Sequence, residues 1–261
     1  MVHQSHPGLP GGKVLILKDT EKGHSRGSVV RRRNEVQHVL FGGQGLPEDH
    51  PQVGVHDAEL TELKEALRAR VTAGFGEFLK ASDPLAALSA LASFRILCAL
   101  REGPFGVAGL NQATEDILEE AGLIRPQSPW YARRPIMITR NDYNLKLFNG
   151  DIGLLLPEGD SGEPRAFFLG PDNTLRKFLP LRLPEHETAY AMTVHKSQGS
   201  EFDRVLLILP ERESPVLSRE LLYTGITRAR TRVELWFEEK VFRAALARRV
   251  IRTSGLCDAL Q

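Results

Sequence analysis

Ala191-Met192-Thr193-Val194-His195-Lys196-Ser197-Gln198-Gly199-Ser200-Glu201-Phe202 is the stretch on which the reading of this chain turns. An apolar strand runs into it. Hydroxyl residues, a His, a Lys, a Gln, a Gly and a Glu then follow within a few positions. Hydrogen-bonding groups packed at the end of a strand suit a place where two polyanions are held at once. In an open α/β sheet, ligands bind at the carboxyl edge of the strands. Thr193, His195, Lys196 and Ser197 can donate to phosphate oxygens, which positions a nucleic-acid backbone without reading its bases. Glu201 repels phosphate and is better suited to accept from hydroxyls such as those of a ribose. These side chains can also simply cap the turn that follows a strand.

Working outward, the flanking segments alternate between strand and helix patterns. Strands are expected at 94–100, 135–139, 188–194, 205–209 and 231–237. Helices are expected from 57 through Phe78, at 84–92 with Asp83 before Pro84, and at 110–121, 218–228 and 238–249. Asp57 is the expected N-cap of the first. This order predicts an α/β fold with a parallel sheet and helices on both faces. Between 141 and 183 the texture changes to short apolar runs separated by Asn-Gly and Pro-Asp-Asn turns. An inserted small antiparallel β unit is expected there. Residues 1–56 are poorly defined, with one strand expected at 14–17, a short helix at 29–41 and loop at 42–56.

Composition sets limits. The 261 residues carry a net charge of +1, so any contact with a polyanion is local rather than spread over the surface. Cys98 and Cys257 make no disulfide framework, which fits a reducing cytoplasm, and Cys98 is expected to be a buried thiol. No run approaches the ~20 apolar residues of a membrane span, and the N-terminus lacks a signal-peptide layout.

A second motif, Tyr223-Thr224-Gly225-Ile226-Thr227-Arg228-Ala229-Arg230, follows on an expected helix. Two positions apart on a helix, Arg228 and Arg230 cannot face the same way. Together the two motifs resemble the last two conserved motifs of superfamily 1 helicases. Their wording resembles that of RecD, the alpha subunit of exodeoxyribonuclease V (RecBCD). The resemblance covers about 57–259. It also takes in Arg101-Glu102-Gly103-Pro104-Phe105-Gly106-Val107-Ala108-Gly109-Leu110-Asn111 and Arg182-Leu183-Pro184-Glu185-His186-Glu187-Thr188.

The resemblance implies a second RecA-like motor domain at 57–140 and 184–261, with a small β-barrel at 141–183 that contributes to a single-strand channel. It implies that Thr193, His195, Lys196 and Ser197 face single-stranded DNA, and that Gly199 and Glu201 approach ATP, with Gln198 between the two sites. It makes Arg228 the arginine supplied to the γ-phosphate. Arg101 and Asn111 are implied DNA contacts, with a tight strand-to-helix connection equally open for each. For Tyr223, packing under the helix is favoured over contact with nucleotide, and for Asp142 and Asp151 a turn role is favoured.

The sequence contains no Gly-x-x-x-x-Gly-Lys-Ser/Thr, so the phosphate-binding and Mg²⁺-binding half of an ATP site is expected from a missing N-terminal RecA-like domain. The chain is therefore expected to be a fragment or split product, inactive alone, whose partners are single-stranded DNA and RecB- and RecC-like subunits. Alternatives are a non-catalytic DNA- or RecBC-binding module, or a fragment of another superfamily 1 helicase such as a relaxase-helicase.

Overall fold

The computed structural model describes residues 13–18, 60–159 and 162–249. The Asp57 cap, the 29–41 helix, the 42–56 loop and Cys257 lie outside them.

Two five-stranded sheets organise the fold. The first has the order β1 (Lys13–Lys18), β10 (Ala229–Phe237), β9 (Phe202–Ile208), β2 (Phe94–Cys98), β8 (Ala191–Thr193). Its inner pairings, β10 with β9, β9 with β2 and β2 with β8, are all parallel. β1 pairs antiparallel with β10 at the edge, so the strand expected near 14–17 completes this sheet. Every residue of β2 is buried, as an inner strand covered on both faces requires.

Strand alternation divides the apolar residues between two layers. Ile96, Leu206, Ile208 and Trp236 face α1 (Leu60–Lys80), α2 (Pro84–Leu91) and α3 (Val107–Glu120), where Leu63, Leu67, Val71, Phe75 and Phe78 line the covering surface. Leu97, Leu207, Leu235 and Phe237 face the other way, onto α4 (Arg219–Ile226) and α5 (Glu239–Ala247). The helices begin where local chemistry dictates. Asp83 accepts from the Ala86 amide at 2.8 Å with Pro84 at the first helical position, and Ser218 accepts from the Leu221 amide at 3.2 Å.

The second sheet is antiparallel, in the order β6 (Leu175–Phe178), β5 (Glu163–Leu169), β4 (Ile152–Glu158), β3 (Pro135–Ile138), β7 (His186–Thr188). It corrects three expectations. The strand at 135–138 pairs antiparallel with β4 and β7 and is not part of the parallel sheet. The strand expected at 188–194 is two strands, β7 in one sheet and β8 in the other, separated by Ala189 and Tyr190. Among the described residues no pairing joins β6 to β7, so the sheet is open where a closed barrel was expected. One face, with Leu154, Leu156 and Phe167, packs into the helix-side core. The other, with Leu155, Ala166 and Phe168, closes over Ile136, Ile138 and Leu147. The second sheet is thus anchored by burial to the first. No helix of the described residues is long and apolar enough to cross a membrane.

Candidate functional site

β8 ends at Thr193, and a hydrogen-bonded turn carries the chain over β2 to β9. Within it the Ser197 amide donates to the Thr193 carbonyl at 3.1 Å, and the Ser200 amide to the Ser197 carbonyl at 3.0 Å. Gly199 has φ of +88°, a left-handed conformation that favours glycine.

The turn sorts its side chains into two sets. Thr193 is nearly buried and its Oγ1 accepts from the Lys196 amide at 3.2 Å, which leaves only its own proton to give. Ser197 is fully buried and its hydroxyl donates to the Val194 carbonyl at 2.7 Å. The expected DNA contact at Ser197 is therefore corrected: its hydroxyl holds the turn. His195, Gln198 and Glu201 are exposed, and Lys196 is half-buried. Lys196 Nζ reaches across to Asn149 Oδ1 in the second sheet's β3–β4 loop. Glu201 pairs with Arg230 at 3.3 Å, an exposed ion pair of small worth.

Arg228 lies just past α4, which ends at Ile226 with Thr227 as its C-cap; it is not on the helix as expected, and Arg230 is already on β10. Its Nε donates to the Thr224 carbonyl at 3.1 Å, its Nη1 to the Ser200 carbonyl at 3.0 Å and its Nη2 weakly to Thr227 Oγ1 at 3.5 Å. A guanidinium has five N–H groups, so the outer edge of the fork keeps donors for an anion. The Phe202 amide donates to the Arg228 carbonyl at 2.8 Å. The two motifs are therefore stitched together by side chain and backbone. Tyr223 is partly buried against the α4–α5 core, as the packing reading expects.

The loop after β2 does not form the expected anion-binding contact at Asn111. The first amides of α3 are spent on the loop itself, Val107 on the Leu100 carbonyl at 3.0 Å and Ala108 on the Arg101 carbonyl at 3.1 Å. A Cβ on Gly109 would lie 2.5 Å from the Gly103 carbonyl oxygen, so this is a close-packed connection. Asn111 is buried. Its Nδ2 donates to the Thr188 and Ala191 carbonyls at 2.9 and 3.2 Å, and its Oδ1 accepts from the Ala191 amide at 2.9 Å. It clamps the junction between β7 and β8 and has nothing left for DNA. Arg101 is exposed but held by Glu187 at 3.0 Å, at the edge of an open cleft that also includes Thr139, Pro184 and His186. Asp142 and Asp151 accept from backbone amides in their turns.

One residue bracing this region went unread in the sequence. Arg95, the lone charge within an apolar strand, is 1% exposed. It donates to the Ala189 carbonyl, and its guanidinium sits 5.2 Å over the Phe202 ring. Burial lowers its pKa to about 10, so it stays cationic at neutral pH. A charged residue inside an otherwise apolar strand was the available signal. Among the described residues no group of three or more His, Cys, Asp or Glu side chains could hold a metal ion.

The UvrD-like helicase C-terminal domain family matches residues 188–235, which contain both motifs. With an α/β fold whose strand β8 runs into the first motif and whose strands β9 and β10 start from the end of the first and the end of the second, the chain is a helicase C-terminal part. More particularly it is RecD-like, of superfamily 1. It is 45% identical over 199 residues to the RecBCD enzyme subunit RecD of Mycobacterium tuberculosis (strain CDC 1551 / Oshkosh), which covers 76% of this chain and 33% of that protein. It is 31% identical over 170 residues to the ATP-dependent RecD2 DNA helicase of Deinococcus radiodurans, covering 64% of this chain and 23% of that one. A structure of two coordinating Pif1 helicases unwinding forked duplex DNA aligns with 74% of this chain and 50% of its own, at 19% identity and a TM-score of 0.39. The chain spans about a third of the length of the first of these relatives.

Proposed function

We propose that this chain is the second motor domain of a RecD-like, ATP-dependent DNA helicase that acts in double-strand-break repair and recombination with RecB- and RecC-like subunits. The observation that carries the reading is the turn shared by two faces. His195 and Lys196 stand exposed or half-exposed on one side, and on the other Ser200 is hydrogen-bonded to Arg228. Single-stranded DNA lies against Thr193, His195 and Lys196, with Arg101 at its margin. ATP lies against Gln198, Gly199, Glu201 and Arg228.

Arg228 acts as an arginine finger, its fork neutralising charge that develops on the transferred phosphoryl group. The phosphate loop and the Mg²⁺ ligands come from a domain with a Walker A sequence, which these 261 residues do not contain. This chain supplies one wall of the site. Because both faces hang on one short turn, a shift of Arg228 on nucleotide release moves the DNA-facing residues with it.

Ultraviolet cross-linking of an oligothymidylate to the chain, followed by peptide mapping, tests the reading. Cross-links in 192–202 and 140–150 are expected. Cross-links confined to the α4–α5 side would contradict it.

A further inference from the structure

The loop between β3 and β4 is held by its own hydrogen bonds, yet it shows two aromatic rings to solvent. Asp142 and Leu147 exchange backbone hydrogen bonds at 2.7 and 3.0 Å. Asp142 Oδ1 accepts from the Asn144 and Leu145 amides, Asn141 Oδ1 from the Asn149 amide, and Asp151 Oδ2 from the Phe148 amide. Arg176, from β6, donates to the Lys146 carbonyl at 2.9 Å. On this frame Tyr143 is 75% exposed and Phe148 44% exposed. Their ring centroids are 6.0 Å apart with planes at 73°. Neither ring belongs to a core cluster, so folding does not require them to be aromatic.

The surroundings select what the rings can hold. Phe148 adjoins Asn149, whose Oδ1 accepts from Lys196 Nζ, so the pair stands beside the phosphate-facing turn. Lys146 is exposed in the same loop. The loop's two carboxylates, Asp142 and Asp151, are turned onto backbone amides. Aromatic faces bordered by cations suit an unpaired base with its phosphate, and such stacking tolerates any sequence.

We infer that Tyr143 and Phe148 form a stacking step for unpaired nucleobases, which makes the grip selective for single strands over duplex. Bases in a duplex are already stacked and cannot reach it. This rests on the reading of the adjacent turn as a DNA contact. It adds base recognition to what is otherwise a backbone grip.

The test compares an oligothymidylate with an abasic oligonucleotide of the same length, by fluorescence anisotropy on the full chain. Tyr143→Ala and Phe148→Ala are each expected to weaken thymidylate binding by roughly ten-fold, the scale of one lost stack. Tyr143→Phe keeps wild-type affinity. On the abasic strand wild type and variants bind alike. A 2-aminopurine in the strand is quenched by wild type and less so by the variants. Tyr143 is exposed enough that its replacement leaves folding intact, which a thermal melt verifies. Equal binding of both strands by wild type and both alanine variants overturns the stacking step. If Lys196→Ala still weakens both strands in that case, the DNA reading stands alone. No binding by wild type overturns both.

Discussion

The Arg228 guanidinium donates to the Ser200 carbonyl at 3.0 Å, fastening the end of one motif to the turn of the other. The Phe202 amide returns a bond to the Arg228 carbonyl. The two motifs are thereby attached to one short piece of backbone, on which the proposed nucleotide and strand contacts both depend. Arg228→Ala removes the fork and leaves the backbone bond. In a protein that joins this chain to a Walker A domain, DNA-stimulated ATP hydrolysis is expected to fall at least about a thousand-fold, the scale of a lost finger. Affinity for single-stranded DNA should change less than about two-fold, within the ~0.5 kcal/mol of an ordinary surface substitution. Steady-state hydrolysis and anisotropy on the same variant check this. Equal loss of both would make Arg228 a folding or DNA residue.

Asn111 satisfies one amide and two carbonyls at the junction of the sheets. Asn111→Ala leaves these buried groups without partners. Unfolding in urea should show a loss of about 2–4 kcal/mol. A loss under ~0.5 kcal/mol, the level of a neutral surface site, would remove Asn111 from its structural role.

Burial pushes the Cys98 thiol up to about 12, and Sγ donates to the Leu100 carbonyl at 3.3 Å. The reactive species is the thiolate. In a Cys257→Ser background the folded chain should therefore resist a disulfide reagent at pH 8 and react only when unfolded. Prompt reaction of the native chain would contradict the burial.

Glu120 joins α3 to α1, bonding Arg68 Nη2 at 2.8 Å and Lys64 Nζ. The Lys64 and Arg68 hydrogen bonds lower its pKa below the usual carboxylate value. A depressed carboxylate contributes stability that is present above its unfolded pKa of about 4.3 and is lost as pH falls through the folded value. Glu120→Gln should melt below wild type at pH 6, and the gap should shrink as the pH is lowered through the carboxylate range. A gap independent of pH would mean the bridge is not what the substitution removes.

Much of the fold was legible because apolar runs of strand length alternate with helical spacing. Leu63 through Phe78 and the runs at β2, β9 and β10 read correctly. Pro135–Ile138 did not, since four buried residues look the same in a parallel or an antiparallel sheet. The break at Ala189–Tyr190 was hidden because both residues are buried and continue the apolar run into β8. At the candidate site Lys196 is half-buried, and His195 and Glu201 come out on the surface as their polarity suggests. Ser197 and Asn111 do not, because their partners are set by folding. Asn111 meets residues 77 and 80 positions away. The end of α4 before Arg228 depends on β10 pairing with β9 from Ala229 onward.

The central claim is that the turn from Thr193 to Glu201 grips a single strand on one side and serves nucleotide on the other. Its most direct measurement is the salt dependence of oligothymidylate binding by the chain, by anisotropy, for wild type, Lys196→Ala and Arg228→Ala. Each phosphate contact to a single strand contributes about 0.7 to the slope of log affinity against log salt. Lys196→Ala should weaken binding and reduce the slope by about that amount, while Arg228→Ala leaves both unchanged. A slope untouched by Lys196→Ala, or lost to the same extent in Arg228→Ala, would contradict the two-faced turn.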